Sequence, residues 1–154
     1  MSKTSKLPTA CLFALVLATA VASPALAQAE RKITVRFAAT VGTEPFACGK
    51  SYDGIGATGS RVTPSDFRFY VSDVELIDAS GKSVPLKLEQ DERWQHQNVA
   101  LLDFENRSGP CLTGTQETRD VVTGTVPAGN YRGLRFTLGV PFALNHADAT
   151  IAPS

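Results

Sequence analysis

The chain is poor in the residues that most often do chemistry, with one tryptophan, one methionine and two histidines in 154 residues. Neither Gly-x-Ser-x-Gly nor His-Glu-x-x-His occurs, and two imidazoles are too few for most hydrolytic zinc sites, so a secreted hydrolase fits badly and the chain is not expected to be an enzyme. It also lacks an excess of either charge: 15 Lys and Arg face 15 Asp and Glu, without a basic cluster. Nucleic acid is therefore excluded as an expected partner. Internal repeats, low-complexity tracts and an amphipathic helical period are absent as well. The only long apolar run is at the N-terminus, over 10–22, and it is too short for a membrane span.

That run is preceded by Lys3 and Lys6 and followed by Ser23, Pro24, Ala25, Leu26 and Ala27, the small-x-small pattern of a cleaved secretory signal. We read 1–27 as a signal peptide and 28–154 as one exported β domain that does not insert in the membrane after processing. Cys11 lies at the start of the apolar run rather than after it, which argues against a lipid anchor. Cys48 and Cys111 remain, and an even pair in an exported chain is read as a disulfide in preference to a metal site.

Alternation of apolar and polar residues carries the fold class. Ile33, Val35, Phe37, Ala39 and Val41 share one face of a half-buried strand. The Gly- and Ser-rich stretch 43–63 reads as a flexible loop; it looks superficially like a phosphate loop but lacks the Lys-Ser/Thr ending and a following helix. In the strand 66–77 the apolar phase switches from Phe67, Phe69 and Val71 to Val74 and Leu76, which predicts a bulge near Ser72 and Asp73. A turn at 78–81 leads to Val84, Leu86 and Leu88 as a hairpin partner. Strands over 121–126 and 131–140, joined by Pro127, Ala128, Gly129 and Asn130, read as the clearest hairpin. The sum is an all-β chain, an antiparallel β-sandwich or open barrel. Its ending on Ile151-Ala-Pro-Ser154 is neither strand-like nor a polar tail and suggests a fold incomplete at the C-terminus.

The stretch 91–105 concentrates the rare residues. Trp94 and His96 are two apart in a run that becomes strand-like from Val99, so in extended chain they project side by side, an oxidisable indole next to a metal-capable imidazole. The plainer reading makes Trp94 a core aromatic and His96 a surface polar residue. The second histidine, His146, follows the last strand. Asp91 and Asp148 are expected to face water.

Taken together, the stretch 66–74 (Asp-Phe-Arg-Phe-Tyr-Val-Ser-Asp-Val), Trp94-Gln95, the stretch 99–105, Gly114-Thr115, Val126-Pro127, Gly129-x-Tyr131-x-Gly133-Leu134 and the stretch 138–146 ending in Leu144-Asn145-His146 resemble the MbnP family, also described as the four-Cys member of the metallo-mystery pair. The resemblance runs from about Ile33 to the end of the chain. It implies a periplasmic or surface copper-binding protein paired with a MauG-like dihaem c-type cytochrome that oxidises a tryptophan to kynurenine. It further implies copper held by two histidines and that kynurenine. On this sequence Trp94 and His96 match the family's Trp-x-His, and His146 is the candidate second histidine. The family's other two cysteines fall in a C-terminal half with no counterpart here. A structural or carbohydrate-binding exported sandwich is the rival reading.

Overall fold

The computed structural model of the chain describes residues 29–146, so the signal-peptide reading of 1–27 and the placement of Asp148 lie outside the described residues. Twelve strands and one short helix follow in order: β1 Glu30–Arg36, β2 Thr40–Val41, β3 Glu44–Pro45, β4 Tyr52–Ile55, β5 Ser60–Val62, β6 Arg68–Asp78, β7 Ser83–Pro85, β8 Lys87–Leu88, β9 Gln95–His96, β10 Val99–Asp103, β11 Val121–Pro127, β12 Tyr131–Leu138 and α1 Phe142–Asn145. The all-β expectation holds.

Two antiparallel sheets form the body. One runs β1-β11-β8; the other runs β12-β6-β10-β9, with β7 also paired to β6. Their inner faces follow from the alternation in the sequence. Val71, Val74 and Leu76 of β6 and Ala100 and Leu102 of β10 meet Val122 and Val126 of β11 with Leu86 and Leu88, all buried. Full burial of each such branched side chain contributes about 1.5–3 kcal/mol. One end is closed by aromatic rings: Phe67 contacts Phe46, Phe69 and Phe104 at centroid distances of 5.3, 5.7 and 5.4 Å.

The phase switch in β6 is a real irregularity. Asp73 has φ 50°, and the pairing of β12 with β6 shifts register between Arg135↔Glu75 and Thr137↔Ser72. Val71 and Val74 thereby both face inward, and the positive φ is supported by Asn98, whose Nδ2 donates to Asp73 Oδ1 at 2.6 Å.

Three expectations need correction. Residues 121–140 are not a hairpin: β11 pairs with β1 and β8, whereas β12 pairs with β6 in the opposite sheet. Each strand has one apolar face that must meet the core, and placing the two in facing sheets satisfies both faces at once. The residues 78–88 make only half a hairpin, because β7 pairs with β6 but the chain then crosses at Leu86 so that β8 joins β11. Gly124 permits that crossing: a Cβ there would stand 2.4 Å from the Lys87 carbonyl oxygen. The stretch 43–63 is also more ordered than its composition suggests. It holds β3, paired with β2 just before it, and the β4-β5 ladder, anchored by Tyr52, which is 1% exposed and whose hydroxyl donates to the Pro45 carbonyl at 2.8 Å and accepts from the Ala47 amide at 2.7 Å.

Among the described residues β12 is an edge strand, and its apolar side chains are only partly covered. Phe136 reaches Phe37 edge-on at 5.6 Å, while Leu138 stays 70% exposed.

Candidate metal centre

Trp94 and His96 are held by a turn and a two-residue hairpin. Asp91 Oδ1 accepts from the backbone amides of Arg93, Trp94 and Gln95 at 3.2, 2.7 and 2.8 Å. Burial alone would push the Asp91 carboxyl up; the amides of Trp94, Gln95 and Arg93, helped by the Arg119 guanidinium, outweigh it and hold the carboxyl below its ordinary value. Asp91 is thus a turn-forming anchor, not only a solvent-facing charge. Beyond the turn, Gln95 and His96 pair with Ala100 and Val99, with Gln97 at φ 52° in the connection.

Gln95 is the hinge of this arrangement, and it carried no role in the sequence reading. Its side chain is 1% exposed and clamps the two sheets: Nε2 donates to the carbonyls of Glu89 and Thr123 at 2.7 and 2.9 Å, and Oε1 accepts from the Thr123 amide at 2.7 Å. With Gln95 directed inward, strand alternation leaves its neighbours Trp94 and His96 on the outer face of the sheet. Trp94 is half-buried and His96 exposed. The Arg93 guanidinium lies over the indole at 4.9 Å and also pairs with Glu117 at 3.1 Å. His96 Nε2 is 3.1 Å from Gln97 Nε2.

His146 sits elsewhere. It ends α1, which follows β12, and its ring stacks on Phe142 at 3.9 Å with Nδ1 3.0 Å from the Phe142 carbonyl oxygen. β12 and β9 are opposite edges of one sheet with β6 and β10 between them, roughly 14 Å apart at standard strand spacing. Among the described residues no hydrogen bond or ring contact joins His146 to Trp94 or His96. Each imidazole is exposed, so both remain chemically able to take a soft or borderline metal.

The cysteine expectation is met. Cys48 and Cys111 form a disulfide with Cα atoms 5.9 Å apart, closing a sequence separation of 63 residues. Beside it lies a buried acidic group that the sequence did not announce. Glu105 is 0% exposed, accepts from the Arg107 amide at 2.8 Å through Oε2, and has no hydrogen-bond partner for Oε1. Asp103, two residues earlier, is 2% exposed, and its carboxyl is pushed up by burial and by the Glu105 and Asp66 charges.

With the geometry in place, the chain can be compared with known proteins. The family model for MbnP matches residues 30–154. The solved structure of MbnP from Methylosinus trichosporium is similar at 35% sequence identity and a TM-score of 0.63, over 73% of this chain and 40% of that one. This chain therefore spans well under half the length of that relative. A search of curated proteins finds no match. A family match across most of the chain, together with the shared all-β fold, assigns it: the protein belongs to the MbnP family.

Proposed function

We propose that the protein is an exported, periplasmic copper-binding protein, not an enzyme, whose Trp94 is oxidised to kynurenine by a MauG-like dihaem c-type cytochrome. Copper would be held by His96, His146 and the modified residue at 94. The observation that carries this reading is the pairing, within a member of the MbnP family, of Trp94 and His96 on either side of the inward Gln95. Neutral imidazole suits copper in either oxidation state, and ring-opened indole offers an aniline nitrogen and a ketone where tryptophan has no comparable donor. The half-buried indole just ahead of β9 needs only a short electron path to a docked partner, without haem contact.

The chain's own contribution is positional. Asp91 and Gln95 set the backbone on both sides of Trp94, so a donor created at 94 starts beside His96. His146 must come from the other sheet edge, a movement of α1 and the preceding loop that binding would have to drive. Two imidazoles without the third donor make an incomplete shell, so tight binding is expected to follow modification.

The test is co-expression with and without the dihaem partner. Peptide mass analysis should show position 94 losing one carbon and gaining one oxygen only with the partner present, and copper should co-purify only with that form. Trp94→Phe should fold but retain little copper; copper retention equal to that of the partner-treated parent would refute the mechanism.

A further inference from the structure

The disulfide and Glu105 form a second constellation, independent of Trp94 and both histidines. The sulfur atoms of Cys48 and Cys111 and a carboxylate oxygen of Glu105 all lie within 4.8 Å of one another. The carboxylate is sealed in: Glu105 is 0% exposed, and the loop at Gly114 passes so close that a Cβ there would fall 1.9 Å from Oε1. Nevertheless Oε1 has no hydrogen-bond partner. Arg68 donates through Nε and Nη2 to the two oxygens of Asp66 at 2.9 and 2.6 Å, and its Nη1 faces the same point beside Gly114 as Oε1, so the guanidinium offers Glu105 charge but no hydrogen bond. A fully buried carboxylate oxygen without a donor is costly in a folded protein and calls for a ligand.

We propose that reduction of Cys48–Cys111 converts this corner into a binding site for a borderline divalent cation of the zinc class, with two thiolates and the Glu105 carboxylate as ligands and water in the fourth position. The donor set, two sulfurs and one oxygen, is one that zinc accepts in tetrahedral geometry. Access is one-sided. Cys48 keeps partial exposure and Cys111 has none, so a dithiol reductant attacks the Cys48 sulfur and displaces the Cys111 thiolate beside Glu105. The reductant's second thiol then breaks the mixed disulfide, leaving two protein thiols and an oxidised, cyclic reductant. Binding the cation releases the two thiol protons to water, and the metal gains the Glu105 carboxylate as a direct ligand. The disulfide thus acts as a lock on the site.

The experiment uses the full chain, reduced with dithiothreitol, freed of reductant without oxygen and titrated with cobalt(II). A thiolate-to-cobalt charge-transfer band should grow to one equivalent, disappear on addition of zinc, and be absent from the oxidised protein. Cobalt held by imidazoles alone gives no such band. Glu105→Gln, which keeps the shape, should weaken binding at least about tenfold, and Cys48→Ser with Cys111→Ser should abolish the band. If reduction loosens the fold, zinc should restore the far-ultraviolet circular dichroism of the parent but not of Glu105→Gln. No band in the reduced chain, a band unchanged by Glu105→Gln, or unfolding that zinc does not reverse would each overturn the proposal.

Discussion

At the scale of single residues, the candidate centre depends on two polar side chains that touch no ligand. Gln95 satisfies backbone groups of Glu89 and Thr123 from within the core. Gln95→Ala should cost about 3 kcal/mol, because removing one partner strands the others in a dry setting, and urea unfolding should show the loss with an unchanged slope. Asp91 acts through charge as well as geometry. Its folded value lies below the unfolded one, about 3.9, so its stabilising contribution is complete above the unfolded value and is lost as pH falls through the folded one. Asp91→Ala should accordingly make the acid limb of stability against pH shallower, measured by urea midpoints from about pH 2 to pH 6. Trp94 and His96 were singled out by rarity and spacing. Gln95 and Glu105 were not, since a buried polar residue has no periodic signature until its partners, 28 residues away for Thr123, are brought to it.

At the scale of elements, alternation located the strands but not their partners. The phase switch at Ser72 and Asp73 was readable because a bulge leaves its mark within one strand. The true pairing of β11 was not, because Val122 and Val126 alternate identically whether the next strand is a neighbour or lies across the core. Short polar ladders such as β4-β5 were lost in a glycine-rich composition that also suits a loop. The bulge itself can be tested. At φ 50° a β-branched residue is strained, so Asp73→Val should lower stability by about 1–3 kcal/mol while Asp73→Gly costs less, as read from thermal or urea midpoints. Equal losses for both would mean that the Asn98 contact, not the backbone angle, fixes the bulge.

For the whole molecule, the disulfide is the strongest long-range tie. It links the segment after β3 to the loop after β10, and a closed separation of 63 residues is worth about 4 kcal/mol in the chain-entropy account. Mapping of non-reduced peptides should recover the Cys48–Cys111 pair, and reduction should lower the unfolding midpoint by a corresponding amount; two freely alkylated thiols in oxidised material would contradict the structure. The crossing of β11 and β12 between sheets has a different consequence, one of time. Among the described residues β1 is the first strand made and pairs only with β11, joining Arg36 to Asp120 across a sequence separation of 84. Until that late segment emerges, Ile33 and Val35 have no ladder to join, and the earliest strand waits longest for its partner. Such non-local topology folds on the order of milliseconds to seconds rather than microseconds. The nascent chain thus passes through a period in which its first strand is an open, apolar edge, vulnerable to pairing with a neighbouring copy.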